Sequence, residues 1–428
     1  SGVAVMVMSL STLESLSETA NAYYERYRFG HIFTQVERAP TQLERRIADL
    51  PGVQSVQSRI AKIATLEIHG FDEPVIGKLV SIPETGQPTL NQLALRVGRS
   101  VSAGRIDEVV LSEPFAEAHG FNPGDTLKAI LNGKKRTLRV VGIALSPEYV
   151  YSISPGGLMP DDERFGVLWM GRQALASAYD LDDAFNDLSL SLLVDTDPVA
   201  VIKQLDQITK DYGGIGAVAR KDQVSNWFLM NELDQLRTIS GLLPTIFLAV
   251  AAFLTQMVLS RLITTERGEI GLLKAFGYTR LQIAWHYASL VVTIALVGIV
   301  LGWIAGAWLG LYSTQMYSEF YRFPFLHYQP SLFTFALSAI ITLVVALAGS
   351  MRAVYTAATL PPAQAMLPPS PPTYRQESRL LARLLKCLDQ PTRIIFRQLT
   401  RWPIRSLLTS TGIAFAIGVL IMALQWID

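Results

Sequence analysis

Five charged residues, Glu266, Arg267, Glu269, Lys274 and Arg280, fall within fifteen positions between two apolar stretches of this 428-residue sequence. Glu266 and Glu269 are three apart and would share one face of a helix. Gly277, directly after Phe276, suits the end of that helix, because glycine takes the left-handed backbone without steric cost. The chemistry open to such a set is recognition: a short charged helix is a rigid contact for another protein. A solvated connecting loop is the plainer reading of the same spacing. Catalysis has no comparable support. The sequence has no Gly-x-x-x-x-Gly-Lys-Ser/Thr to cradle a phosphate, and neither His-Glu-x-x-His nor Gly-x-Ser-x-Gly. His31, His69, His119, His286 and His327 are scattered and read as ordinary polar residues. Cys387 is the sole cysteine, which excludes an intrachain disulfide and a cysteine-based zinc site.

The flanking elements explain where this segment must sit. Half of the residues are hydrophobic and 17% are charged, a balance that points to membrane spans. Four stretches qualify: residues 241–259, 287–312, 332–349 and 407–424. At 1.5 Å per residue each reaches about 27 Å or more, close to the hydrocarbon thickness of a bilayer. None carries a charged side chain, so an ion or proton relay through them is not expected. The apolar run Gly2–Leu10 reads as the end of a truncated span. Residues 11–240 hold 23 Lys and Arg against 30 Asp and Glu, whereas the rest holds 14 against 6. Basic residues cluster at 261–280 and 352–405, while 313–331 holds only Arg322 among basic residues. The positive-inside rule therefore places the first two loops in the cytoplasm, and 313–331 and 11–240 outside it. Basic charge interleaved with spans argues against nucleic-acid binding.

The acidic block reads as mixed α/β. Residues 11–28 and 222–240 have helical spacing and would act as stalks. Residues 41–50 are expected as a helix stopped by Pro51-Gly52. Residues 127–131 and 137–143 flank Asn132-Gly133-Lys134-Lys135 as a hairpin, residues 187–194 alternate like a strand, and 198–212 open a helix on Pro198. Residues 361–372, with six prolines, are expected as an extended linker, and 375–405 as a basic amphipathic stretch along the membrane surface. Gly298, Gly302, Gly306 and Gly310 recur every four residues, a pattern that lets helix backbones approach closely in lipid, within the chain or against a second copy.

The segment 261–283 resembles the cytoplasmic loop of FtsX-like permeases of ABC transporters. Arg267, Glu269, Ile270, Gly271, Leu272, Leu273, Lys274, Ala275, Gly277 and Arg280 fall in register with that family's pattern. The order Gly98, Asp107, Gly124-Asp125, Gly142 in the acidic block resembles the periplasmic core domain of MacB-like members. Residues 396–409 resemble the lead-in to the first span of an FtsX-like half, so 406–428 would open a second half.

The resemblance implies a multi-pass α-helical membrane protein with an inserted extracytoplasmic mixed α/β domain. Residues 1–10 would end a span, 11–240 form the external domain, 241–349 the FtsX-like membrane domain, 350–405 a cytoplasmic linker, and 406–428 the next span. It further implies a permease subunit of the bacterial inner membrane with no catalytic residues, no cofactor and no metal of its own. ATP and Mg would be held by a partner ATPase, which docks on Glu266, Arg267, Glu269, Ile270, Gly271, Leu272, Lys274, Gly277 and Arg280. A second permease copy or half, and a periplasmic adaptor, lipoprotein or hydrolase, are the further partners implied. The cargo would be a lipid, lipoprotein, peptide or amphipathic compound. The alternative is a regulator that activates a cell-wall hydrolase without transport.

Overall fold

The computed structural model describes residues 2–71, 73, 75–157, 159–366, 389–390, 392 and 403–424. The chain divides into two compact units. One comprises Met8–Ile239 and Ala307–Ser331; the other comprises Ser1–Val7, Ser240–Gly306 and Leu332–Asp428.

The first unit is built on two sheets. The smaller is antiparallel, in the order β11 (Val218–Ala219), β1 (Ile32–Pro40), β10 (Ala184–Leu192), β2 (Val53–Arg59). Helices α2 (Gln42–Ala48) and α5 (Pro198–Thr209) cover it, burying Leu43, Ile47, Val201 and Leu205 against Ile32, Phe185 and Leu190. The larger sheet runs β5 (Ala94–Gly98), β8 (Lys134–Leu145), β6 (Glu108–Ser112), β9 (Phe165–Gly171), β4 (Val75–Ile82), β3 (Ala61–Glu67), β7 (Thr126–Leu131). Because β7 also pairs with β8, six of these strands close into a ring, with β5 paired to the last residues of β8, Gly142–Leu145, beyond the stretch that β7 occupies. Helices α3 (Glu113–His119) and α4 (Arg172–Tyr179) contribute Phe115 and Leu175 to its core.

The hairpin is tighter than expected. Leu131 pairs directly with Lys134, so the turn is Asn132-Gly133 alone, with φ of 47° and 76°. Two positive-φ residues match the right-handed twist of the flanking strands, and the two lysines are therefore drawn into β8. Gly124 has a φ of 111°, and Asp125 accepts from the Asn122 amide at 2.8 Å, so both serve the local turn.

Strand β10 is buried on both faces. Its apolar set packs under α2 and α5, and its polar set feeds a buried ion network. Arg59, at the end of β2, donates to Asp187 on β10 (2.8 and 2.5 Å) and to Glu148 after β8 (2.5 and 3.0 Å). Asn91 donates to Glu148 and Ser189 and accepts from the Gly30 amide; Gln223 donates to the Glu148 carbonyl. All three charged side chains are less than 10% exposed. Burial works to raise the Glu148 carboxyl, but the Arg59 guanidinium outweighs it and holds the group below its ordinary value. The network thus joins the end of α1 (Gly2–Arg26), the approach to α6 (Val224–Thr265) and both sheets. It was not visible as a motif, because its charged members alone are spread from residue 59 to residue 187.

Residues 321–331 also belong to this unit. Arg322 pairs with Glu117 at 2.9 Å and reaches Asp162 at 3.5 Å, and the His327 amide donates to Thr19. Tyr23, Phe29, Leu229, Tyr321 and Phe323 form one cluster around the stalk helices.

The second unit is helical. Helix α6 runs unbroken for 42 residues with Pro244 inside it. It is followed by α7 (Arg267–Ala275), α8 (Arg280–Phe320), α9 (Leu332–Thr359), α10 (Pro362–Met366) and α11 (Pro403–Leu424). Helices α6, α8 and α9 are long and apolar enough to cross a membrane. The expected span at 407–424 lies within α11. The expected linker departs from extended structure at its start, where Pro362 opens a helical turn. Proline is pre-set for the first position of a helix. The rest of the linker, at 367–372, and the basic stretch at 375–405, apart from Asp389, Gln390, Thr392 and the first residues of α11, lie outside the described residues, as does Cys387.

Two outcomes follow for the α/β unit. Arg59→Met should lower its stability by about 3–5 kcal/mol, because two buried carboxylates lose their counter-charge; thermal unfolding of the purified chain measures this. Glu108 accepts from Arg99 at 2.6 and 2.8 Å, and this bond holds its pKa at about 2 against an ordinary 4.5. A depressed carboxylate stabilises above its unfolded pKa and loses that contribution as pH falls toward the folded one. Glu108→Gln should therefore melt lower at pH ~5 and show a smaller further drop on going to pH ~3 than the unchanged chain.

Candidate functional site

The charged segment forms a helix and a turn, not a bare loop. Helix α7 starts one residue after α6 ends, with Glu266 between them. It stops at Phe276, where the Gly277 amide reaches the Lys274 carbonyl at 3.1 Å and the Tyr278 amide reaches Leu273 at 3.2 Å. Gly277 has a φ of 95°, so this paired closure requires the glycine expected there. Thr279 then opens α8 through a reciprocal cap: its hydroxyl accepts from the Gln282 amide, and the Gln282 side chain accepts from the Thr279 amide.

The faces of α7 differ. Ile270 is 1% exposed and packs with Leu259, Ile263, Ile283, Tyr287, Ala353 and Ala357. Gly271 sits so close to α10 that an added Cβ would lie 2.8 Å from the Ala365 side chain. Lys274 turns inward as well. Its Nζ donates to the carbonyls of Ala357, Ala358 and Leu360 at 3.2, 2.8 and 2.6 Å. Burial, and then Arg280, draw the ammonium below the ordinary lysine value, while the three carbonyls favour the charged form, which alone can donate to all of them. Glu266 accepts from the Tyr287 hydroxyl at 2.7 Å.

Glu269, Leu272 and Arg280 are exposed, and Arg267 is half-buried. The two glutamates expected on one face therefore part: Glu266 is bonded to Tyr287 and Glu269 is exposed. Near Glu269 and Arg280 in the sequence, large apolar side chains are exposed. Phe276 is 76% exposed, Leu281 80% and Trp285 73%. This apolar rim was missed when charges alone were read; the signal was three large hydrophobes flanking a helix stop.

The glycine stripe has a second role in packing. Cβ atoms at Gly302 and Gly306 would lie 2.6 Å from the Val3 side chain and 2.8 Å from the Ala4 carbonyl, so α1 crosses α8 there at backbone contact. A Cβ at Gly310 would lie 2.8 Å from the Tyr328 hydroxyl, whereas Gly298 faces open space. Trp303 donates to Ser338 at 3.0 Å beside this crossing. The close approach is thus made within the chain at three of the four positions.

His31 accepts from the Leu192 amide, and His119 lies 2.8 Å from the Glu163 carbonyl, both in local structural roles. Among the described residues no cluster of His, Cys, Asp and Glu is arranged to hold a metal.

Residues 241–362 match the model of the FtsX-like permease C-terminal family, a stretch that contains α7 and its turn. No curated protein matches the chain. Among solved structures, the chain is similar to the periplasmic region of MacB from Actinobacillus actinomycetemcomitans. The two are 13% identical with a TM-score of 0.30, over 49% of this chain and 97% of that one. It is also similar to the extracellular domain of the noncanonic ABC-type transporter YknZ from Gram-positive bacteria, at 12% identity and a TM-score of 0.29, over 43% and 97% of the two chains.

The stripe gives a paired test. Gly306→Leu should destabilise the helical unit by about 1–3 kcal/mol through overpacking, while Gly298→Leu should leave it unchanged. Melting temperatures in detergent compare the two directly.

Proposed function

We propose that the chain is the permease subunit of an ABC transporter and that α7 with its turn is the docking point for a separate ATPase subunit. The observation that carries this is the two-sidedness of α7 within the FtsX-like segment. Its inner face is fixed by Ile270, Gly271 and Lys274, while Glu269 and Leu272 on α7, Phe276 at its end, and Arg280, Leu281 and Trp285 at the start of α8 are exposed. Aromatic anchors within a charged rim are the usual composition of a protein contact.

In this reading ATP and Mg bind the partner, whose closure presses on α7. Helix α6 starts at Val224, in the α/β unit, and ends one residue before α7, so one continuous rod carries the displacement. The α/β unit, placed outside the cytoplasm by the charge of the loops, changes its pose in response. The spans contain no charged residue, which suits a lipid, lipoprotein, peptide or amphipathic cargo handled at the outer face rather than an ion conducted through the bundle.

Phe276→Asp should weaken retention of the ATPase subunit about tenfold or more, the effect of losing an interfacial aromatic anchor. Glu269→Lys should leave a folded chain with reduced stimulation of ATP hydrolysis. Affinity purification of the complex followed by ATPase assay reads both; wild-type retention and stimulation in the two variants would remove the proposal.

A further inference from the structure

We infer that Lys274 is a positioning residue whose ammonium replaces two backbone N–H groups missing at the end of α9, and so ties α7 to that span. What the tie is for rests on the docking reading of α7; the tie itself does not.

An α-helix ends with carbonyls that have lost their intrahelical donors. Were α9 to continue, the amide of residue 361 would reach the Ala357 carbonyl and that of residue 362 the Ala358 carbonyl. Those residues are Pro361 and Pro362, and proline has no N–H to give. Two successive carbonyls are therefore left without donors by the sequence itself. Lys274 supplies them, at 3.2 and 2.8 Å, and spends its third proton on the Leu360 carbonyl at 2.6 Å. A positive charge is also favoured at the negative end of the α9 dipole.

The placement is reinforced on both sides. Ile270 lies four residues earlier on α7 and is buried with Ala353 and Ala357 of α9. Gly271, beside it, admits α10 to a separation that leaves no room for a side chain. Helix α7 is joined through the chain to α6 and α8. Lys274 adds α9, so that a displacement of α7 reaches three long helices together. Without the lysine, α9 would be held to α7 by apolar packing, which has no direction and tolerates sliding.

The test uses the full chain in lipid nanodiscs with Cys387→Ser, spin-labelled at Phe276→Cys on the turn after α7 and Met351→Cys on α9. Pulsed electron resonance should give a narrow distance distribution. Lys274→Met should lose it and Lys274→Arg should retain it. Adding Pro361→Ala and Pro362→Ala to Lys274→Met should recover the melting temperature while the distribution stays broad, because restored amides satisfy the carbonyls without reaching α7. The same two alanines with Lys274 intact should also broaden it, by competing for the carbonyls; this variant serves if Lys274→Met does not fold. A distribution as narrow as the parent in Lys274→Met, or in its stand-in, overturns the inference. In the complex, Lys274→Met should lower stimulation of the ATPase subunit about tenfold, and Lys274→Arg should restore it. Unchanged stimulation would overturn the coupling role. If instead Phe276→Asp leaves docking intact while Lys274→Met still broadens the distances, the docking reading fails and the tie stands.

Discussion

In hydrocarbon a backbone amide or carbonyl finds a partner within its own structure or goes without, at a cost of several kcal/mol per group. That constraint makes α6, α8 and α9 continuous across the bilayer, while beyond it each helix end still leaves backbone groups for caps, side chains or water to satisfy. At the turn after α7 the supply is a glycine-based closure followed by the Thr279–Gln282 cap. At the end of α9 the prolines remove the ordinary donors, and a side chain from another helix takes over. The proposed docking segment is thus held from behind by Ile270 packing and the Lys274 bonds.

The two units are held by different means. Lipid gives no hydrophobic incentive for helices to associate, so shape matters more: Gly302 and Gly306 bring α8 to the backbone of α1. In the α/β unit a buried guanidinium between two carboxylates meets the ends of both sheets. Desolvating three charges consumes much of what their attraction returns. What such a joint adds is definition: Arg59 can satisfy Asp187 and Glu148 together in one arrangement of the sheets, whereas apolar surfaces would accept several.

Much of this was legible in the order of residues. Spans, stalks and the α7 stop follow from apolar length, helical spacing and Gly277, all local signals. Asn132-Gly133 marked a hairpin, although the turn is shorter than the four residues first allotted, because strand pairing extends to the last residue that can join it. The start of the proline-rich stretch was read as extended on composition, which says nothing of a helix waiting to accept Pro362. Other features were not legible. The direction of Lys274 depends on carbonyls more than eighty positions away, and the Arg59 network draws on six separate segments of the chain. Alternation in β10 gave the strand but could not reveal that its polar side is covered too.

The ring of six strands has a mechanical meaning. A hoop closed by hydrogen bonds cannot shear at one seam without opening the others, so it turns as a solid piece. Its link to the open sheet is short: β2 ends at Arg59, β3 begins at Ala61, and Ile60 alone lies between them. Ile60 is fully enclosed, with Ser81 bonded to its amide and carbonyl at 2.8 Å each. Torque reaching the smaller sheet from the stalks would therefore pass to the ring at this clamped crossing, with the Arg59 network and the α4 connection sharing it, as an axle shares its load among bearings.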